Sequence, residues 1–122
     1  MKPIFAALAA ITLTSACAGI PTITNTERLT LSNTQINTIK QTAARGLKDP
    51  DSAKFRNIRK LKNSYSDGTS ATLVCGEVNA KNSYGAYVGY MNFRGGMTGE
   101  RFRLDAMATP STNQYFSLTC GS

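Results

Sequence analysis

Histidine is missing from all 122 residues of the chain. This absence removes the commonest general base and the commonest protein ligand for metal ions. Acidic side chains are also scarce, because aspartate and glutamate together number only 7. They are scattered along the sequence, without the ligand spacing of a zinc or calcium site. We therefore expect a protein that is not an enzyme and that carries no metal and no cofactor.

Two catalytic alternatives can be formulated, and the spacing favours neither of them. A carboxylate-based hydrolase would have to bring together partners from Glu77, Glu100 and Asp105, which are far apart in the sequence. A nucleophilic cysteine needs a nearby base, and none is evident beside Cys75.

A long apolar run is missing as well. The apolar stretch Ile4 to Leu13 has about ten residues, whereas a membrane-spanning helix needs about 20. Lys2 precedes this stretch and small residues follow it, which is the three-part pattern of a secretory signal peptide. We therefore predict a signal peptide over residues 1–16 and no transmembrane segment after it.

Two cleavage sites compete at the end of this leader. The letters LTSAC resemble the lipobox of bacterial lipoproteins, in which the cysteine, here Cys17, becomes the lipid-modified first residue. Thr14 departs from that pattern, since an aliphatic residue is usual there. Ordinary signal peptidase cleavage after Ala18 is the alternative, and it would leave a soluble periplasmic or secreted protein. A buried N-terminal helix that ends in a core cysteine is a third interpretation.

Lipidation at Cys17 would attach two or more acyl chains, which together anchor a protein stably to a membrane. Ala18 is not the aspartate that resembles an inner-membrane retention signal, so we expect an outer-membrane lipoprotein that faces the periplasm or the cell surface. The predicted lipid-anchored tether covers residues 17–31, and the predicted single domain covers 32–122. Some alternation within 22–31 also permits an edge strand there.

Cysteine is sparse, with three in the whole chain. Cys75 and Cys120 are the two that remain once Cys17 is lipidated or removed. An even number in an exported chain favours a disulfide, and such a covalent link suits a domain of this size. Two separate buried thiols are the alternative.

The helix signals lie in the first half of the predicted domain. Residues 32–48 predict a helix, with Ser32 and Gln35 in capping-box spacing. The apolar residues of this segment fall on one helical face: Ile36, Ile39, Ala43 and Leu47. Residues 49–53 predict one further helical turn, because Asp49 can cap it and a proline follows.

Strand signals follow from residue 55 onward. Runs rich in Val, Thr, Tyr and Phe are separated by glycine clusters, and Asp67-Gly68 indicates a hairpin. In the last run, residues 114–120, alternation points Phe116, Leu118 and Cys120 to one face. We therefore expect an α+β domain, with one or two N-terminal helices packed on an antiparallel sheet of four or five strands.

Positive charge is in excess, with 14 lysines and arginines and a formal net charge of +7. For an exported protein this favours anionic headgroups, anionic envelope polymers or an acidic protein as partner, rather than nucleic acid. One basic run holds Lys54, Arg56, Arg59, Lys60 and Lys62. It predicts either a surface for anionic headgroups or the solvated side of an edge strand, where lysines block edge-to-edge pairing.

Residues 75–93 form the second candidate site. The candidate binding residues in this stretch are Asn79, Lys81, Asn82, Tyr87 and Tyr90. A polar hairpin tip flanked by tyrosines would suit a sugar, a peptide or an anionic headgroup. In the alternative, the asparagines hold the turn through side-chain-to-backbone hydrogen bonds and the tyrosines cover the sheet.

Two motifs in this part of the chain resemble those of uncharacterised exported lipoproteins of proteobacteria. The first is D-P-x-S-A-x-F over residues 49–55, and the second is C-G-x-V-N-A-K-N-x-x-G-x-Y-x-G-Y over residues 75–90. The resemblance implies a location and a domain type, and it brings no known activity.

These observations predict a small non-enzymatic envelope lipoprotein that acts by contact with an envelope protein or an anionic envelope polymer. The alternative is a periplasmic or secreted inhibitor of a cell-wall hydrolase that acts through the loop over residues 79–90.

Overall fold

A computed structural model describes residues 19–109 and 112–121 of the chain. The predicted signal peptide and the predicted lipid attachment site, Cys17, lie outside the described residues. Within the described ranges, no helix has the length and apolar character needed to cross a membrane.

The described chain forms one antiparallel sheet of five strands, in which each strand lies beside its neighbours in sequence. The elements are β1 (Ile23–Leu29), α1 (Asn33–Ala44), a 3₁₀ turn (Pro50–Ser52), β2 (Lys54–Tyr65), β3 (Ser70–Asn79), β4 (Met91–Thr98), β5 (Arg101–Met107), a second 3₁₀ turn (Asn113–Phe116) and α2 (Ser117–Cys120). The predicted antiparallel sheet is confirmed and has five strands, while helices contribute less than expected.

A strand, rather than a helix, opens the described fold. β1 pairs with β2 in antiparallel register, from Ile23 opposite Tyr65 to Leu29 opposite Lys60. Of the two interpretations of the segment before residue 32, the edge strand is therefore the one that the fold adopts from Ile23 onward. The sheet accordingly begins before the predicted domain boundary.

α1 follows β1 and starts with the capping box that the sequence predicts. The hydroxyl of Ser32 accepts the backbone N–H of Gln35 at 3.1 Å, and the side-chain oxygen of Gln35 accepts the N–H of Ser32 at 3.0 Å. The helix ends at Ala44, earlier than predicted, because Gly46 disfavours a further turn. The expected second helix is only the 3₁₀ turn Pro50–Ser52.

The main core lies between α1 and one face of the sheet. Its buried members are Ile39, Ala43, Val74, Val78, Phe93 and Phe102. The ring of Phe93 meets that of Phe55 edge-on, with the centroids 6.0 Å apart. Gly76 lies against this ring, and a Cβ atom there would stand 2.5 Å from Cζ of Phe93. A glycine is therefore required at this position for Phe93 to fill the core.

The opposite face of the sheet is covered by the C-terminal segment, which a disulfide joins to β3. Cys75 and Cys120 are bonded, with their Cα atoms 5.9 Å apart, so the predicted disulfide is confirmed. The predicted last strand is wrong, because this segment forms helical turns. Phe116 and Cys120 are buried while Leu118 is 73% exposed. Residues four apart share one face of a helix, whereas residues two apart do not.

Polar side chains of the sheet, of which Arg59 and Asn63 are buried, donate hydrogen bonds to this segment. Arg59 donates to the backbone oxygen of Cys120 at 2.8 Å, and the amide of Asn63 donates to that of Thr119 at 3.1 Å. Arg94 donates to the hydroxyl of Thr119 at 2.9 Å. Arg59 is only 8% exposed, and its burial lowers the pKa of its guanidinium. It therefore does not belong to the basic surface that the sequence predicts.

Candidate functional site

Residues 80–90 connect β3 to β4 and form a closed hairpin loop. Lys81 and Tyr87 pair as an isolated antiparallel bridge at its base. The backbone N–H of Asn82 donates to the backbone oxygen of Ala86 at 2.8 Å. The loop backbone is therefore paired with itself and projects beyond the sheet.

Two asparagine side chains hold the shape of this loop. The side-chain oxygen of Asn82 accepts the N–H of Tyr84 at 2.9 Å and that of Ala86 at 3.2 Å. The side-chain oxygen of Asn79 accepts the N–H of Gly89 at 3.0 Å. These are the side-chain-to-backbone bonds expected in the alternative in which the asparagines hold the turn. Both oxygens already accept bonds within the loop, so they fix the loop that presents its neighbours.

Three cations stand against two tyrosine rings at the base of the loop. The guanidinium carbon of Arg56 lies 3.7 Å from the ring centroid of Tyr90. The ammonium groups of Lys54 and Lys81 lie 4.5 Å and 5.6 Å from the ring centroid of Tyr87. Distances within about 6 Å give a cation–π attraction. We refer to these five residues as the cation–tyrosine cluster, and it joins members of both candidate stretches.

Ser52, the last residue of the 3₁₀ turn before β2, forms hydrogen bonds with two residues of the cluster. The hydroxyl of Tyr87 donates to the backbone oxygen of Ser52 at 2.9 Å. The hydroxyl of Ser52 in turn accepts the backbone N–H of Lys81 at 2.8 Å. The two motifs singled out in the sequence thus contact each other directly in the fold.

The cluster carries a net positive charge. Arg56 pairs with Glu77, with 3.2 Å between the guanidinium nitrogen and the carboxylate oxygen. Neither Lys54 nor Lys81 forms an ion pair with another residue in the part of the chain that the structure describes. The carboxylate of Glu77 therefore pairs with one of the three cations, and the two lysine ammonium groups are available to an anionic partner.

The tip of the loop presents apolar surface outside the candidate residues that the sequence indicates. Tyr84 is 94% exposed and Val88 is 55% exposed. Gly85 and Gly89 have positive φ angles of 78° and 100°, which lets the chain turn sharply around these side chains. The spacing of the two glycines was the available signal, because it brackets the segment that projects.

The remaining members of the basic run lie elsewhere. Lys60 is half-buried opposite Leu29, and Lys62 is exposed opposite Glu27 of β1. β2 is an interior strand between β1 and β3, so the interpretation of this run as the side of an edge strand is wrong. The run therefore divides into the cluster residues Lys54 and Arg56, the buried Arg59, and these two lysines.

A cleft of about 580 Å³ lies on the other side of the 3₁₀ turn, between α1 and the start of β2. Phe55 and Ala53 contribute apolar surface to it, and Lys40 and Arg45 line its helix side. Asp51 lines it as well, so the cleft holds charges of both signs. None of these residues belongs to the candidate sites of the sequence analysis.

The carboxylates considered for catalysis are engaged with arginines or lie apart from one another. Glu77 pairs with Arg56, whereas Asp105 accepts a 2.7 Å bond from Arg103 on β5. This bond lowers the pKa of Asp105 and thus favours its charged form. Glu100 lies in the turn between β4 and β5. Among residues 19–109 and 112–121 there is no group of three or more acidic or cysteine side chains that could hold a metal ion.

Comparison with known proteins adds no assignment. No family model matches the chain, and neither a curated protein nor a solved structure matches it. The interpretation of the loop and of the cation–tyrosine cluster therefore depends on their geometry.

Proposed function

We propose that the chain is a small, non-enzymatic envelope lipoprotein that acts by contact through the loop and the cation–tyrosine cluster. The observation that carries this proposal is the disulfide between Cys75 and Cys120, which lie 45 positions apart. Disulfides persist in oxidising compartments, and a chain with a secretory leader is delivered to such a compartment. The loop and the cluster then supply a preformed surface for a partner.

The lipid anchor is the second part of the proposal. Cys17 would carry the acyl chains, and the mature protein would be delivered to the outer membrane. The supporting observations are the lipobox-like letters before Cys17 and the edge strand that begins at Ile23. The sheet would then follow the anchor closely.

The mass of the native mature protein tests this proposal directly. We expect a polypeptide that begins at Cys17 and carries diacylglyceryl and N-acyl groups, with neither remaining cysteine open to alkylation. A Cys17→Ser variant is the matched control and should lack the lipid mass while keeping the disulfide. A cytosolic chain that retains Met1 and has reactive thiols at Cys75 and Cys120 would contradict the proposal.

An inhibitor of a cell-wall hydrolase is the second candidate function. The observation that favours it is the shape of the loop, which Asn82 holds in place and which presents Tyr84 almost fully exposed. A preorganised loop with an exposed tyrosine suits insertion into an enzyme cleft, because little conformational entropy is lost on binding.

A panel of cell-wall hydrolases, assayed with and without the protein, separates this candidate from the first. Inhibition that Lys81→Ala and Tyr84→Ala each abolish, and that Arg101→Ala leaves unchanged, would support it. If no hydrolase of the panel is inhibited, the inhibitor function is excluded and the first proposed function remains.

A further inference from the structure

The sheet has two ends, and the candidate site occupies one of them. At one end, Ile23 of β1 is paired with Tyr65 of β2. At the other, Lys54 of β2 is paired with Asn79 of β3, immediately before the loop. We name these the β1-start end and the loop end. β2 runs between them with 12 residues, which corresponds to roughly 35 Å.

The chain enters the sheet at the β1-start end and is fixed there. The backbone N–H of Thr22 donates to the hydroxyl of Ser66 at 3.0 Å, and the N–H of Ser66 donates to the backbone oxygen of Thr22 at 2.9 Å. The segment from Cys17 to Thr22 spans at most about 20 Å when fully extended. If Cys17 is anchored, the turn that contains Ser66 is therefore the part of the domain held nearest the bilayer.

The surface at the loop end has a nearly fully exposed tyrosine and a defined charge pattern. Its tip, residues 82–89, contains no charged side chain and presents Tyr84 and Val88. Lys54 and Lys81 stand at its base without ion-pair partners in the described chain. An apolar projection with two ammonium groups at its base is complementary to an apolar hollow with carboxylates at its rim.

We propose that the loop end points away from the anchoring bilayer and inserts Tyr84 into an acidic concave site on another envelope protein. This inference depends on the proposed lipid anchor at Cys17, and it names the partner class of the same site.

A protein fits this surface better than a small ligand does. Small-molecule sites are concave, whereas Tyr84 projects with 94% of its surface exposed. Tyrosine and arginine are enriched among the residues that dominate protein–protein binding energy. Arg56 and Tyr90 supply a cation–π pair of these two types at the base of the loop.

The orientation can be measured with the native acylated protein in liposomes of phosphatidylethanolamine and phosphatidylglycerol that contain a headgroup nitroxide. β4 begins beside the loop and runs away from it, so the turn that contains Glu100 lies at the β1-start end. A fluorophore is attached to Ser83→Cys at the loop end in one sample and to Glu100→Cys in the other. Both native residues are exposed and lie in turns. We expect quenching at position 100 and none at position 83.

Quenching at position 83 would overturn the inferred orientation, while the acylated, liposome-bound protein would still satisfy the proposed function. Loss of liposome binding because Cys17 carries no lipid would overturn both. The mass of the N-terminus distinguishes these two results.

The partner is tested by replacing Tyr84 with the photo-crosslinker p-benzoylphenylalanine in the native envelope and sequencing the cross-linked product. We expect a covalent bond to a protein, at a peptide that lines a cleft rich in aspartate and glutamate. Cross-links found only on lipid or on polysaccharide would overturn the proposal, and so would a protein contact lined by neutral or basic residues.

Binding of the purified partner then separates the roles of the individual residues. Tyr84→Ala should weaken binding by about 30-fold or more, as expected for a central contact. Lys54→Gln combined with Lys81→Gln should weaken it by about tenfold and reduce its salt dependence, because these charges steer association. Arg101→Gln, which removes an exposed charge at the opposite end, should change binding by less than about twofold. Equal losses for all three variants would overturn the proposed role of the loop end.

Discussion

Arg59 donates a 2.8 Å hydrogen bond to the backbone oxygen of Cys120, which lies 61 positions later in the chain. Cys120 is also bonded through its sulfur to Cys75, the residue paired with Arg59 across β2 and β3. A covalent bond and a buried guanidinium therefore hold the same C-terminal residue against the same place on the sheet. Because this segment adds no strand to the sheet, these two links attach it in place of strand pairing.

Removal of the disulfide should destabilise the domain strongly. The double variant Cys75→Ala/Cys120→Ala should lose roughly 4 kcal/mol of unfolding free energy, the chain-entropy value for a loop of this size. Urea denaturation checks this, with Cys17→Ser as the control that leaves the domain unchanged. A loss below about 1 kcal/mol would mean that the polar contacts alone hold the C-terminal segment.

Substitution of Arg59 should destabilise the domain even with the disulfide intact. Arg59→Met leaves the backbone oxygens of Asn57 and Cys120 without their buried donor, which should cost about 2–3 kcal/mol. Lys62→Met, an exposed position on the same strand, is the control and should stay within about 0.5 kcal/mol. Equal effects of the two variants in urea denaturation would contradict a structural role for Arg59.

Local patterns predicted the parts of the fold that local chemistry determines. The capping box at Ser32 and the hairpin at Asp67-Gly68 both form, because each depends on residues only a few positions apart. The C-terminal helical turns were missed, since alternation at Phe116, Leu118 and Cys120 is too short to separate a strand from a helix. The contacts of this segment with Cys75, Arg59 and Asn63 come from strands far away in the sequence, so no local pattern contains them.

Gly76 should be intolerant of a side chain. In Gly76→Ala the new methyl group would collide with the ring of Phe93, at 2.5 Å from its Cζ atom. Relief requires movement in the centre of the core and should cost about 1–3 kcal/mol. Gly46→Ala is the matched control, because a Cβ atom there meets nothing within 4 Å. Thermal unfolding of both variants checks the difference, and similar melting temperatures would contradict the packing described for Phe93.

The pKa of Asp67 should depend on Thr69. The Thr69 hydroxyl, at 2.6 Å, and then its backbone N–H, at 3.0 Å, lower the pKa of the Asp67 carboxyl. A carboxyl whose pKa is lowered by folding stabilises the fold above its unfolded pKa, and this stabilisation is lost as the pH falls through the folded pKa. An NMR titration of Asp67 should show the pKa rising towards its ordinary value of about 3.9 in Thr69→Val. An unchanged titration would mean that the hydroxyl is not the donor.

The two halves of the candidate site were predictable, but their contact was not. The sequence singled out the basic run and the tyrosine-rich stretch as separate candidates. Arg56 and Tyr90 meet because β2 and β4 flank β3, and this order of strands is a property of the whole sheet. The burial of Arg59 could not be predicted for the same reason, because the segment that covers it, around Cys120, lies 61 positions later in the chain.

The preorganisation of the loop depends on Asn82 and can be measured residue by residue. In Asn82→Ala the backbone N–H groups of Tyr84 and Ala86 lose the side-chain oxygen that now accepts them. A hydrogen bond of this kind contributes about 0.5–1.5 kcal/mol, so these two amides should exchange with solvent roughly 2- to 10-fold faster. Ser83→Ala, which changes the residue between Asn82 and Tyr84, is the control and should leave both exchange rates unchanged. Hydrogen exchange followed by NMR provides the measurement, and equal rates in wild type and Asn82→Ala would show that the backbone bond between Asn82 and Ala86 suffices to fix the loop.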